Sequence, residues 1–284
     1  MNYIESTRKD KIILSVIIPC FNHGQFLLEA IASVEACPKD LYEIIIINDG
    51  SSDPFTLEVI SSLKKKGYFV IEQHNQGQAE ARNTGIKAAK GHYILPLDSD
   101  NKIREEMIIK GVDILENRPD VGVVYGDIKF FNNDEKNYKF RIPDGYGTAE
   151  DLNEREWIWR LPDFHLYRMV IMYYLDACAV FRKSAWQECG GYDTKIPVNG
   201  FEDWELWLNI AQRGWKFHHI PEVLHDYRFI YDPLHKEWHV PEKHKLAKKY
   251  IQEKHRDLFL KTAAWIKSMP PTSINQEFIL QLNS

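Results

Sequence analysis

"NQGQAEARNTGIKAAKGHYILPLDSDN", residues 75–101, changes period halfway through. Ala79, Ala81 and Ile86 sit among small and polar neighbours, which suits a helix from about Gln78 to Lys90, closed by Gly91. Tyr93 to Leu97 is then apolar on every side, the pattern of a strand buried on both faces. The run ends in two carboxylates, Asp98 and Asp100, with only Ser99 between them. Carboxylates are not left at the mouth of a core without a partner.

The same alternation extends upstream. Ile12 to Pro19 and Glu43 to Asn48 are continuous β-branched runs, and Tyr68 to Ile71 is a shorter one. Phe26 to Ala36 carries Phe26, Leu27, Ala30, Ile31 and Val34 at helical spacing. Asp53 and Pro54 form an N-cap and first-turn proline for a helix running to Lys66, with Gly67 closing it. Strands alternating with helices predict an α/β, Rossmann-like, mostly parallel sheet flanked by helices. In such sheets ligands bind outside the carboxyl ends of the strands. Those ends here are Pro19-Cys20-Phe21-Asn22, Asn48-Asp49-Gly50-Ser51 and Asp98-Ser99-Asp100.

Beyond residue 101 the pattern is less regular. Val121 to Tyr125 and Ala177 to Phe181 read as strands, and Asn132 to Arg141 as a solvated hairpin or loop. Phe201, Trp204, Leu208 and Ala211 give the apolar stripe of an amphipathic helix from Phe201 to Arg213, stopped by Gly214. Helical character resumes from about Glu242 to Lys267, before Pro270-Pro271.

Two carboxylates one residue apart suit a hard cation, Mg²⁺ or Mn²⁺, shared with substrate phosphates. Asp100 as the cap of a helix near Ile103 is the plainer alternative. Asp49 can accept from a base imide or a ribose, or form an Asx turn. Arg82 can pair with phosphate or with Asp98, or be a surface arginine. Glu202 and Asp203 fall in the first turn of a helix, where the dipole favours acids in any case.

The stretches SVIIPCFN (15–22), IIIINDGSSD (44–53), residues 75–101, GGYD (190–193) and GFEDWELWLNIAQRG (200–214) together resemble the family 2 glycosyltransferases of GT-A fold. The resemblance runs in order over about residues 13–228. It implies an inverting, metal-dependent hexosyltransferase that uses a nucleotide sugar, most often UDP-linked. By position, Asp98 would face the ribose or the metal and Asp100 the metal. Ser99 would lie by the donor, Asp49 would read the uracil, Pro19 and Phe21 would line the base pocket, and Arg82 would lie near the nucleotide. Asp203 would be the general base, with Glu202 in reserve near the acceptor. Tyr227-Arg228 matches the end of the family's core, but Ile230 stands where a histidine is common. His225 is the candidate to replace it at the metal, with His235 a further one. Trp157 and Trp159 are the aromatic candidates for an acceptor, which could be a glycan, a lipid-linked or a protein-linked hydroxyl. A catalytically silent sugar-nucleotide or glycan-binding module and a nucleotidyltransferase are the rivals. The second would want a Gly-rich phosphate loop after the first strand, which PCFNHGQF lacks.

Composition sets the outer bounds. With 284 residues, 44% hydrophobic and 27% charged, the chain can bury a sizeable core. Its net charge of −5 (36 − 41) gives no basic field for nucleic acid. Cys20, Cys37, Cys178 and Cys189 form no CxxC pair, and Met1 to Lys11 is polar, so a cytoplasmic protein with reduced thiols is expected. No apolar run reaches the ~20 residues of a spanning helix. Lys243, Lys245, Lys248 and Lys249 offer peripheral contact with anionic lipid at a membrane face, with a solvated helix face as the default. The expected organisation is a domain over residues 1–230, with a nucleotide half (11–101) and an acceptor half (102–230), followed by a helical extension (231–284).

Overall fold

A computed structural model describes residues 12–131, 142–229, 241–270 and 272–282. The expected loop at 132–141, Ile230, His235, Pro271 and the opening Met1 to Lys11 lie outside the described residues.

Residues 12–101 follow the sequence pattern closely. Strands β1 (Leu14–Cys20), β2 (Tyr42–Asp49), β3 (Phe69–Gln73) and β4 (Tyr93–Pro96) alternate with helices α1 (Gly24–Glu35), α2 (Pro54–Lys65) and α3 (Gln78–Ala88). β1 pairs in parallel with β2 and β4, and β2 with β3. The Asp53 carboxylate accepts from the Thr56 N–H at 2.8 Å, which caps α2 as expected. Helix α3 ends two residues short of the expected Lys90, because Ala89 is already extended. Gly91 is therefore not a left-handed cap; it is small because a Cβ there would lie 2.7 Å from the Leu14 carbonyl carbon.

The second half adds β5 (Lys102–Ile103), α4 (Glu105–Asn117), β6 (Val121–Phe131), β7 (Thr148–Asn153) and β8 (Glu156–Arg160). It continues with α5 (Leu166–Ile171), β9 (Val180–Arg182), α6 (Lys183–Cys189), α7 (Glu202–Gln212) and β10 (Lys216–Arg228). Helices α8 (Pro241–Lys254), α9 (Arg256–Lys267) and α10 (Ser273–Leu282) complete the described chain. The main sheet order is β3-β2-β1-β4-β9-β6-β10-β5, with β8 against β6 and β7 against β8. β9 runs antiparallel to both β4 and β6, which reverses the sheet at its middle.

Side chains alternate between two apolar layers, as strand geometry requires. Val16, Ile18, Ile46 and Leu95 pack with α1, α2 and α4 on one face. Ile17, Ile45, Ile47 and Ile94 pack on the other with α3, α5 and α7, and the apolar residues of α8, α9 and α10 join that same layer. Helix α3 lies very close on the sheet: a Cβ at Gly85 would come within 2.5 Å of Ile17 Cγ2 and 2.7 Å of Ile47 Cδ1. Gly85→Val should therefore overpack this layer and cost about 1–3 kcal/mol. Urea unfolding measures it; an unchanged midpoint would mean the two isoleucines can move aside.

Two elements differ from the sequence pattern for physical reasons. Helix α7 is not amphipathic in use: residues Glu202 to Ile210 are buried without interruption, because the helix runs between the sheet and the carboxyl-terminal helices. Its Glu202, Asp203 and Glu205 go inside with it. The expected strand from Ala177 shortens to Val180–Arg182, since Asp176 and Cys178 are engaged in a turn, where the Cys178 N–H donates to Asp176 Oδ1 at 3.0 Å.

Candidate active site

The carboxyl ends of β1, β2 and β4 do converge. Asn22, just past β1, takes a left-handed conformation (φ 57°), tolerable for asparagine. Its side-chain oxygen accepts from the N–H groups of Ser52 and Asp53 at 2.8 and 2.9 Å, tying the end of β1 to the loop after β2. Gly50 (φ 74°) turns that loop so tightly against Asn75 that a Cβ would lie 2.5 Å from its nitrogen.

Asp49 is buried and fastens the loop leading into α3. Its Oδ1 accepts from Gln73 Nε2 (2.7 Å) and the Gln76 N–H (3.0 Å), and its Oδ2 from the Gly77 N–H (3.0 Å). An ionised carboxylate has about four lone-pair sites, so three bonds leave it room for one more. Pro19 is buried within β1, whereas the ring of Phe21 stands exposed at the strand's end. Ser99 is buried against the Cys20 thiol, which burial pushes up to about 11.

Asp98 and Asp100 differ in environment. Asp98 Oδ1 accepts from both Gln78 Nε2 and an Arg82 amino group at 2.8 Å. Its Oδ2 has no partner among the described residues. The Asp100 carboxyl is pushed up to about 6, by burial first and then by the charge of Asp98. Asp100 is no helix cap: α4 starts at Glu105 behind Arg104. Its loop is instead held by Arg228, whose Nε donates to the Asp100 carbonyl and whose backbone N–H donates to Asn101 Oδ1, both at 2.8 Å. The guanidinium of Arg228 is sandwiched 4.6 Å from the ring centres of both Phe26 and Phe131.

Arg82 is not a surface arginine. It is 2% exposed and bridges Asp98 to Glu202, at 2.8 and 2.7 Å. Burial opposes its charge, but Asp98 and Glu202 outweigh that and raise its pKa. Glu202 Oε2 accepts from the Gly200 N–H at 2.6 Å, which fixes the turn into α7. Asp203 follows directly. Burial, then the neighbouring Glu202, raises its pKa well above the carboxylate range, and Arg82 only partly offsets this.

Other expected residues are placed differently. His225 is buried with Nε2 2.9 Å from Asp176 Oδ2, and its Nδ1 has no hydrogen-bond partner among the described residues. Among the described residues no three His, Cys, Asp or Glu side chains gather tightly enough to hold an ion by themselves, so Asp98, Asp100 and His225 do not form one three-sided site. Trp157 and Trp159 are buried, not presented to an acceptor. β8 is inserted beside β6, so Trp157 stacks on Phe130 at 4.3 Å and Trp159 Nε1 donates to the Tyr146 carbonyl at 2.9 Å. Phe130, on which Trp157 stacks, leans its ring on Tyr227 at 5.2 Å.

Sequence reasoning assigned no role to Asp176 or Tyr192. Asp176 lies beside the crevice because β9 is reversed, so that its amino end meets the carboxyl end of β4. Burial, and then the charges of Asp100, Asp98, Asp176 and Asp203, push the Tyr227 hydroxyl pKa up. Tyr192 packs its ring 5.5 Å from the Arg82 guanidinium. A separate cavity of about 430 Å³, lined by Lys90, His92, Tyr93, Glu116 and Arg182, lies at the other end of β4. Its Arg182 is committed to the carbonyls of Val121, Leu115 and Arg118.

Parallel on its nucleotide side and reversed at β9, this sheet and the crevice above it define a GT-A glycosyltransferase domain. Residues 15–190 match the family model described as glycosyl transferase family 2, and the chain belongs to that family. It is 28% identical over 232 residues to poly-beta-1,6-N-acetyl-D-glucosamine synthase of Staphylococcus aureus strain COL, covering 81% of this chain and 50% of the relative. The synthase of the same name from Staphylococcus epidermidis is 29% identical over 222 residues, covering 78% and 48%. The chain thus spans about half the length of these relatives. Among solved structures, S. aureus TarS 1–349 in complex with UDP-GlcNAc superposes with a TM-score of 0.65 at 17% identity, covering 95% of this chain and 72% of that one. The longer S. aureus TarS chain gives 0.62 at 17% identity, covering 96% and 44%. Among the described residues no helix is long and apolar enough to cross a membrane.

Proposed function

We propose that the chain transfers a sugar from a UDP-sugar to a hydroxyl of a glycan, lipid-linked or protein-linked acceptor, with inversion and with the help of Mn²⁺ or Mg²⁺. The observation that carries this reading is the Arg82 bridge. It joins an acid at the end of β4 to the acid preceding Asp203, so donor and acceptor walls meet in one crevice. TarS is described with UDP-GlcNAc, and the relatives are named N-acetylglucosamine polymer synthases, which makes UDP-GlcNAc the first donor to test.

Asp98 Oδ2 and the Asp100 carboxylate fit a divalent cation. Among the described residues the first has no hydrogen-bond partner, and the second lies in a site whose burial and neighbouring negative charge raise its pKa. Bound there with a diphosphate, a cation supplies neutralisation of the negative charge that builds on the leaving group. Asp49 orients the base through its remaining acceptor position, and Phe21 offers it an exposed ring. The transfer passes through an oxocarbenium-like state, as glycoside hydrolysis does. Asp203 takes the proton of the attacking hydroxyl, the one base that a single displacement needs. Glu202 is unsuited to that task, because both its oxygens are already bonded. His225 offers only Nδ1 and serves to hold Asp176.

The test is nucleotide release from UDP-, GDP- and dTDP-sugars with and without Mn²⁺. Metal-dependent turnover of a UDP-sugar is expected; donor binding without turnover marks a silent binding module, and neither turnover nor metal-dependent binding of any donor defeats the reading. Asp100→Asn should lower turnover by about a hundredfold or more and weaken Mn²⁺-dependent UDP binding. Unchanged Mn²⁺ dependence in this variant would move the cation elsewhere.

A further inference from the structure

We infer that Glu205 is a positioning residue for transfer: it locks the helix that carries Asp203 onto the corner between α8 and α9. The inference rests on the reading of Asp203 as the base. Two residues along a helix are about 200° of rotation, so Glu205 leaves α7 on the side facing away from Asp203. It is wholly buried, and its Oε1 accepts from His255 Nε2 and Lys254 Nζ, each at 2.8 Å. His255 is gripped on its other nitrogen too, where Nδ1 lies 2.6 Å from Nε2 of Gln212, the last residue of α7. Gln212 donates there, so the ring hydrogen sits on Nε2 and points at Glu205. His255 precedes α9 and Lys254 ends α8, so both contacts come from a single corner.

The cluster also reaches the donor side. Lys254 Nζ continues to Asp193 at 2.5 Å, and Tyr250 donates to the same carboxylate at 2.9 Å. Asp193 adjoins Tyr192, whose ring backs Arg82. One buried network therefore braces both the helix presenting Asp203 and the turn behind the arginine that joins Asp98 to Glu202.

Stability alone does not account for such a network. Apolar packing of α7 on α9 is already present, as in the Trp204–Phe259 ring contact at 6.3 Å. Buried ion groups are poor stabilisers compared with apolar residues of the same volume, and here Glu205 Oε2 has no hydrogen bond among the described residues. What directional bonds add is a fixed position along and around the helix axis. The family match ends at residue 190, so α7 and its brace are built from the chain beyond it.

The experiment uses the full chain, with Glu205→Leu, Glu205→Gln, His255→Gln and Lys254→Met, the donor found in the panel, and UDP as binding probe. Glu205→Leu should lower kcat about 10- to 100-fold, as a displacement near 1 Å does, with donor KM and UDP affinity within about twofold. Glu205→Gln should recover much of that loss, because its amide oxygen still accepts from His255. A Glu205→Leu protein that folds and keeps kcat within about twofold of wild type overturns the inference, as does a KM change as large as the kcat change. If Glu205→Leu does not fold, His255→Gln and Lys254→Met decide: unchanged kcat in both overturns it. Asp203→Asn run in parallel separates the two readings. Full activity there removes the base, whereas a dead Asp203→Asn beside an active Glu205→Leu removes only the brace.

Discussion

Arg82→Met is expected to destabilise the fold by about 3–5 kcal/mol, the usual result of removing one partner from a buried ion pair. Glu202 would be left almost completely buried with no cation, and Asp98 would lose one of its two donors. Donor binding should weaken as well, since Asp98 would no longer be held by the body of the domain. Arg82→Lys should fall between, because one ammonium cannot reproduce the planar fork that spans two carboxylates. The double variant Arg82→Met, Glu202→Leu separates the two effects. It replaces the pair with apolar groups and should regain most of the stability while donor affinity stays low. Urea unfolding and UDP calorimetry measure both quantities. An Arg82→Met midpoint equal to wild type would mean that solvent reaches Glu202 and that the bridge is incidental.

The regular half of the fold was legible because local signals and tertiary demands agree there. Asp53-Pro54 and Gly67 delimit α2 to within a residue, and the β-branched runs become β1 and β2 because both sheet faces are covered. Legibility failed where a neighbour distant in sequence decides the environment. Trp157-Ile158-Trp159 is flanked by Arg155, Glu156 and Arg160 like a segment near the surface, yet β8 is inserted against β6 and buries all three apolar side chains. The acids of α7 look like ordinary first-turn helix acids; Glu202 is buried against Arg82 of α3 and Glu205 against the corner at Lys254 and His255, partners far away in sequence. The helical pattern expected from about 242 to 267 is divided at His255, whose ring is held by Glu205 and Gln212. Asp176 escaped for a topological reason. The search for sites at carboxyl ends of strands assumes parallel neighbours, and β9 is antiparallel.

Asp203→Asn should lower kcat by about a thousandfold, within the range that a positioned general base contributes, while UDP binding stays nearly intact. The pH dependence gives the assignment a second handle. Burial and Glu202 raise the folded-state pKa of Asp203 above its unfolded value of about 3.9. A group shifted in that direction contributes stability that is fully present below the unfolded pKa and is lost as pH rises through the folded one. Wild type therefore loses stability over that window, while the asparagine variant, which never ionises, does not. The stability difference between them should grow with pH in favour of Asp203→Asn, as often happens when a strained functional group is removed. Activity moves the opposite way. The base works only when ionised, so wild-type kcat should climb with pH through the raised Asp203 pKa, and the residual rate of Asp203→Asn should lack that limb. Unfolding midpoints and kcat measured across the same pH series test both halves. A variant that loses UDP binding along with turnover would place Asp203 in the donor site, and one whose stability tracks wild type at every pH would show that Asp203 titrates as an ordinary exposed acid.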